Sequence, residues 1–332
     1  MSKTVTRDDV ARLAGVSPTI VSYVLNNSNY VSREKRERVL KAVKELNYIP
    51  NQLARGLRTS RSSQFIFVCD NIQTELFEAV ERRLFERGFY VSLNYSHNKK
   101  DFLDMLMSRQ PEGIFMATNV FDAGQLNTIA ASGIPIILYK TKAYEKLDSR
   151  IVTVVPDYYE AVRKSVDYLL LKGHRCIGLI PPVKYVTKGV DGDDFRVKAY
   201  VEALERSGIP VRKELICTRT QSVEDIYEEV FRMMVSAEKE TRPTALVVGD
   251  DYLAAQLMQY LKKLNIRVPE DVALIGCDNA KIAPLTTPTL TTIDVSKEIL
   301  AHIYVEKMMA LVEGKTAEDE FIDVKLIMRG SA

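Results

Sequence analysis

Ala14-Gly15-Val16-Ser17-Pro18-Thr19-Ile20-Val21-Ser22-Tyr23-Val24-Leu25-Asn26 has the pattern of a tight turn followed by the second helix of a helix-turn-helix. Gly15 supplies the positive φ that such a turn needs. Ser17 is a preferred N-cap, and Pro18 falls at the first helical position, where its missing N–H costs nothing. Ile20, Val21, Val24 and Leu25 recur at helical spacing and predict an inward face, leaving Thr19, Ser22, Tyr23 and Asn26 outward. A face of short polar and aromatic groups suits a DNA groove.

Working outward, Thr6-Arg7-Asp8-Asp9 predicts an N-cap and an acidic first turn, opening a helix with Val10, Leu13 and Ala14 inward. Downstream, Ser32 predicts the cap of a third helix whose inner side is Val39, Leu40, Val43 and Leu46. Residues 1–48 thus form an all-α headpiece. Ile49-Pro50 then breaks the pattern, and Asn51 to Arg58 spans two potential turns capped by Asn51 before the polar run Thr59–Ser63. An isolated helix below ~12 residues is marginal in water, so residues 49–62 are expected to be a hinge that orders only against a partner.

Charge supports this division. Residues 1–61 hold twelve Lys/Arg against five Asp/Glu, a balance of +7, and the other 271 residues hold 34 against 39, a balance of −5. Positive charge concentrated on the headpiece fits phosphate neutralisation. No apolar run reaches the ~20 residues of a membrane span and Met1–Thr6 lacks an apolar signal core, which predicts a soluble cytoplasmic protein that meets no membrane. Cys69, Cys176, Cys217 and Cys277 are widely spaced and mostly inside apolar runs, and are expected to be buried thiols rather than disulfides or metal ligands, with no cofactor.

From Phe65 onward short apolar runs alternate with amphipathic helices. Phe65–Cys69, Tyr90–Leu93, Gly113–Met116 and Ile134–Leu138 form one series, and Cys176–Ile180, Ala245–Val248 and Val272–Gly276 a second. Helices are expected near 74–87, 99–108, 122–132, 194–207, 222–237 and 251–264. Such a rhythm predicts an α/β core of two doubly wound parallel-sheet subdomains, with a ligand at the carboxyl ends of the strands in the cleft between them.

With these residues in view, the chain resembles the LacI/GalR family of bacterial transcription regulators from end to end. The resemblance rests on Asp9 to Ser17, Thr19 to Asn26, Tyr48-Ile49-Pro50-Asn51, Leu53 to Thr59, Leu170 to Arg175, Val268 to Val272, Gly276-Cys277-Asp278 and Pro288 to Ile293. It implies a headpiece, a hinge helix and a core like that of periplasmic sugar-binding proteins. In that core the chain crosses between subdomains three times, near 156–160, 289–294 and 317–322. The implied subdomains are 63–158 with 292–318, and 159–291 with 319–332; the helix near 296–313 joins the first and Phe321–Val324 the second. A C-terminal leucine-heptad tail is lacking, which implies a homodimer.

By position the resemblance implies DNA contacts from Thr6, Ser17, Pro18, Thr19, Ser22, Tyr23, Asn26, Asn51, Ala54 and Leu57 on double-stranded, roughly palindromic DNA. Leu57 corresponds to a hinge leucine that wedges into the minor groove. Pro18 and Tyr23 remove donors that relatives often use, so guanine recognition from those positions is lost. Effector contacts fall on Asp70, Lys140, Arg196, Asp250 and Asp278, where carboxylates beside an arginine suit the hydroxyls of a sugar. Helix capping is the structural alternative for Asp250 and Asp70. Gln73-Thr74-Glu75-Leu76 replaces an Asn-Pro-Phe-Phe-like run, and Lys140 stands where an aspartate often receives hydroxyls, which admits a sugar phosphate.

The function implied is a dimeric repressor of carbohydrate-utilisation genes with a sugar or sugar-phosphate effector. Alternatives are the same fold governed by a protein co-repressor, a secreted solute-binding protein, and an enzyme. Against the enzyme stand the absence of a G-x-G-x-x-G after the first strand, of a complete phosphate loop and of a nucleophile elbow, and the scatter of His97, His174 and His302.

Overall fold

Cap chemistry sets the helix starts of the N-terminal unit. In the computed structural model, which describes residues 5–26, 30–48, 62–70, 74–97, 100–118, 120–183 and 195–332, the chain divides into two units, 1–62 and 63–332. Thr6 Oγ1 accepts the Asp9 N–H at 3.3 Å while Asp9 Oδ2 accepts the Thr6 N–H at 3.0 Å, a reciprocal capping box that opens α1 (Arg7–Ala14). Gly15 ends α1 at φ +61°. Ser17 Oγ then accepts the Ile20 N–H at 3.4 Å at the start of α2 (Pro18–Asn26), and Ser32 takes the N-cap position of α3 (Arg33–Glu45) without a side-chain cap bond.

The three helices close over Val10, Ala11, Ala14, Val21, Val24, Val39 and Ala42. Leu13 and Leu40, expected inside, are 48% and 50% exposed, and Ala11 and Ala42 are buried instead. Small residues at the contacts let short helices approach closely, whereas leucine there would hold the axes apart. Ser22, expected outward, is buried at 8% exposure beside Val21 for the same reason.

The second unit holds two sheets. The first has the order β10-β5-β4-β3-β1-β2, with β1 Gln64–Cys69, β2 Tyr90–Tyr95, β3 Gly113–Ala117, β4 Ile136–Tyr139, β5 Ile151–Pro156 and β10 Glu320–Ile322. The second has the order β11-β9-β8-β7-β6, with β6 Ile177–Ile180, β7 Ala245–Val248, β8 Ala273–Cys277, β9 Thr291–Asp294 and β11 Lys325–Ile327. Among the described residues all pairings are parallel except β11 with β9. The helices are α4 (Thr74–Phe85), α5 (Lys100–Ser108), α6 (Ala123–Ala131), α7 (Tyr158–Leu171), α8 (Phe195–Arg206), α9 (Val223–Phe231), α10 (Asp251–Lys263) and α11 (Lys297–Val312). The helix expected over 222–237 changes to a wide π-turn over Arg232–Ser236.

Alternation along each strand divides the cores. Phe65, Phe67 and Phe115 point to the side covered by α4 and α11, where Tyr304 stacks on Phe115 at 5.8 Å, and Ile66, Val68 and Met116 point to the side covered by α5 and α6. In the second sheet Leu246, Val248 and Leu274 face α9 and α10, while Val247 and Ile275 face α7 and α8. His174 Nδ1 bonds Thr244 Oγ1 at 2.9 Å in the turn before β6, and among the described residues no helix is long and apolar enough to cross a membrane.

The chain passes between the sheets after β5, after β9 and between β10 and β11. Two expected positions need correction. Thr292–Asp294 belongs to β9 of the second sheet, so that crossing follows Asp294. Glu320–Ile322 pairs in parallel with Val154–Pro156 of β5, so Phe321 and Ile322 lie in the first sheet and the last crossing is Asp323-Val324. Ile322 and Val324 both bury into the first core, and that burial holds β10 on the β5 edge.

Candidate functional site

On the headpiece, Thr6, Ser17 and Thr19 are exposed, Pro18 and Tyr23 are half-buried, and Ser22 is buried. Asn26 is the last residue of α2. Thr19 therefore presents a methyl and a hydroxyl at the amino end of α2, where unpaired backbone N–H groups also favour phosphate. Asn51, Ala54 and Leu57 lie outside the described residues.

In the core, the structure gathers charged side chains where the carboxyl ends of the two sheets meet. Asp278 follows β8 with φ +102°, a left-handed conformation that a non-glycine residue adopts at a cost of ~1–3 kcal/mol. Its Oδ1 accepts Lys297 Nζ at 2.8 Å, from the first turn of α11, and the Tyr158 hydroxyl at 3.5 Å, from the first turn of α7. Tyr158 also bonds the Tyr139 hydroxyl at the end of β4. Arg196, 5% exposed in the first turn of α8, lays its guanidinium 4.0 Å from the Tyr158 ring centre. A cation, a carboxylate, two hydroxyls and a guanidinium thus converge from five elements.

Asp250 and Asp251 have separate tasks. Asp250 Oδ1 accepts the Leu253 N–H at 2.8 Å and is the N-cap of α10, as the capping alternative held. Asp251 is fully buried: Oδ1 accepts the Thr292 hydroxyl at 2.6 Å and Oδ2 the Ala280 N–H at 2.7 Å, tying α10 to β9 and to the loop after β8. Its carboxylate fills the space that a Cβ at Gly276 would take, which explains a glycine within β8.

Burial governs the titration of this region. It raises Asp250 to about 6 and Asp251 to about 7, each helped by the negative charge of Asp278 and opposed by the hydrogen bonds just named. It also raises the Tyr139 hydroxyl to about 12 and Tyr158 well above its ordinary value. Both tyrosines are therefore neutral donors at physiological pH. Burial works against the Lys297 charge, but Asp278 outweighs it and the ammonium is held.

Two predicted positions stand apart from this cluster. Asp70 accepts hydroxyls from Ser96 at 2.5 Å and from Thr118, within the first sheet. Lys140 extends the β4 ladder, its N–H donating to Val154 O at 3.0 Å. The structure brings Arg196, Asp250 and Asp278 together and adds Lys297, Tyr158, Tyr139 and Asp251. Lys297 and Tyr158 begin helices immediately after crossings, a position that would have marked them as cleft-facing.

A second set of contacts closes the cleft. Glu75 Oε1, on α4, accepts the Lys281 N–H at 3.0 Å and the Tyr252 hydroxyl at 3.5 Å, and Lys281 Nζ reaches Glu78 Oε2 at 3.1 Å. The space left around Tyr158, Arg196 and Cys277 is about 10 Å³, room for one water.

Comparisons with known proteins bear on the family and the fold. Residues 6–51 match the family described as bacterial regulatory proteins, lacI family, and residues 166–332 match a periplasmic binding protein-like domain. The NTD biosynthesis operon regulator NtdR of Bacillus subtilis (strain 168) is 30% identical, with 98% of this chain and 99% of that protein covered. The HTH-type transcriptional repressor PurR of Serratia proteamaculans (strain 568) is 31% identical, over 97% and 95%. In fold, the chain is similar to the Lac repressor dimer bound to operator and the anti-inducer ONPF, with a TM-score of 0.82, 22% identity and 99% of each chain covered.

Proposed function

The chain belongs to the LacI family of bacterial regulatory proteins and is a DNA-binding transcriptional repressor, and from that premise we propose a homodimer whose operator affinity is set by a sugar or sugar phosphate in the cleft. Residues 1–48 read the operator, with Thr19 and Tyr23 at base edges and Leu57 wedged at the centre. Residues 49–62 form the hinge, and the two sheets are the lobes that close on the effector. Two copies suit the two-fold symmetry of a palindrome. The edge strand β2, with Leu93 and Tyr95 exposed on the same side, offers each copy an apolar face. The protein acts on DNA in the cytoplasm by binding rather than turnover.

The observation that carries this proposal is the convergence of Asp278, Lys297, Tyr158 and Arg196 from both lobes. A polyol hydroxyl can donate to Asp278 and accept from Lys297, Arg196 or Tyr158, while an anionic substituent is served by the cations. Since the lobes meet through these groups, a ligand that replaces their mutual bonds changes the closure energy. A coupling of about 1–3 kcal/mol corresponds to roughly 5–150-fold in operator affinity.

A thermal-shift screen of sugars and sugar phosphates, followed by operator titration with each hit, tests the effector. Arg196→Ala is expected to abolish the ligand-induced shift; an unchanged shift places the effector elsewhere. Leu57→Ala is expected to weaken binding to a palindromic operator at least tenfold, measured by fluorescence anisotropy.

Control by a protein co-repressor without a small ligand is the second reading. It is favoured by the contacts of Glu75 and Glu78 with Lys281, which close the cleft by the chain's own groups. A screen without hits, together with operator affinity that responds to a partner, would select it.

A further inference from the structure

The second sheet has another opening, on the side away from the cleft. A cavity of about 230 Å³ lies at the amino end of β6, between the end of α8 and the following loop. Its apolar wall includes Ile177, Leu204, Ile209 and Leu215, and Arg175 and Arg212 line it as well. Tyr200, fully buried at its base, donates its hydroxyl to Ile177 O at 2.7 Å and so holds α8 against β6.

The two guanidiniums differ from several others of this unit in their partners, although Arg242 and Arg329 likewise bond carbonyl oxygens. Arg163, Arg206, Arg219 and Arg267 all pair with carboxylates. Among the described residues neither Arg175 nor Arg212 has such a pair. Arg175 Nη1 instead donates to Leu170 O at 3.1 Å and His174 O at 3.2 Å, which fixes the head without neutralising it. Arg212 Nη1 lies 3.9 Å from Cys176 Sγ, a thiol that burial keeps protonated. Glu214, the carboxylate felt by Tyr200 and Cys176, is exposed and does not line the cavity.

We propose that this cavity is a second ligand site, for a small organic monocarboxylate with a flat or branched apolar body. Two donor forks take the carboxylate and the apolar wall takes the hydrocarbon. The volume is below the ~300 Å³ at which drug-sized pockets begin, which limits the ligand to a single ring or a short branched chain. The site shares α8 with the cleft: Arg196 faces the cleft, and Tyr200 and Leu204 wall the cavity one and two turns later.

The test is calorimetric titration of the full-length protein with benzoate, benzylammonium and inorganic phosphate. Saturable benzoate binding is expected, with none for benzylammonium. Arg175→Gln and Arg212→Gln should each weaken benzoate about tenfold or more, the scale of a lost charged hydrogen bond. Ile209→Phe, which fills the cavity and keeps both charges, should abolish binding. The proposal is overturned if benzoate does not saturate, if these three variants bind it like the parent, or if phosphate binds and benzoate does not.

Discussion

The two sheets of the core end very differently where they face each other. In the first, β1, β3 and β4 lead to Asp70, Thr118 and Tyr139, a carboxylate answered by hydroxyls of its own sheet and a neutral phenol. In the second, β7 and β8 lead to Asp250, Asp251 and Asp278, and the negative charge of Asp278 adds to burial in raising the proton affinity of the other two. The acidic end is tolerable because Asp251 is bonded inward, Asp250 caps a helix and Asp278 takes its cation from the first lobe. Each lobe is therefore held together by apolar burial, and the joint between them adds charge pairs to the apolar contacts of Cys277 and Ile293. Apolar cores stay shut, while a charged joint can be opened by a ligand that offers equivalent partners.

The sharpest way to break this contrast is within the acidic end. Gly276→Ala puts a Cβ onto Asp251 Oδ1 and 2.9 Å from Leu290 Cδ2, and is expected to cost about 3 kcal/mol in urea unfolding. A cost under 1 kcal/mol would mean that the Asp251 bracket yields easily. Next comes the joint. Lys297→Met leaves Asp278 without its cation; breaking a buried pair costs ~3–5 kcal/mol, and partial exposure of both side chains reduces this to about 2 kcal/mol. Urea denaturation at neutral pH measures it.

Asp251 gives the contrast a pH signature. Its folded pKa of about 7 lies above the ordinary 3.8, so the folded protein keeps a proton that the unfolded chain has released between those values. Its contribution to stability is complete below pH ~4 and is lost as pH rises through about 7. Asp251→Asn can donate to Thr292 Oγ1 and accept from Ala280, so it should remove this decline. Relative to the parent, the variant should gain about 3–4 kcal/mol between pH 4 and pH 8, and parallel stability curves would refute the assignment. The smallest effect is expected at the cleft mouth. Glu75→Gln should change stability by less than ~1 kcal/mol, as exposed polar contacts do, while lowering the sugar concentration needed for half-maximal thermal shift.

Much of this was legible along the chain. The strands of both sheets announce themselves as short apolar runs ended by helix-to-strand turns, and Thr6 with Asp9 spells its own cap. Arg196 and Asp278 were found through family resemblance, because polar residues at strand and helix ends have many local explanations; Asp250 indeed serves as a cap. What stayed hidden depends on tertiary distance. Lys297 and Asp278, or Glu75 and Lys281, meet only when two lobes are assembled. β10 is three residues long and carries too little periodicity to declare its sheet. Leu13 and Leu40 lie outside although hydrophobicity favours leucine over alanine, because close helix packing favours the reverse.

The last crossing bears on how the chain can be made. β10 and α11, from residues 297–322, complete the first lobe, covering the β5 edge and the ring of Phe115. Ser331 in turn accepts the Leu274 N–H through its carbonyl at 2.7 Å, within the second lobe. A nascent chain therefore carries five strands of the first sheet through most of its synthesis with the β5 edge open and one face covered by α4 alone. Folding domain by domain from the N-terminus, the usual order during translation, leaves the first lobe without α11 and β10 until residues 297–322 have been made.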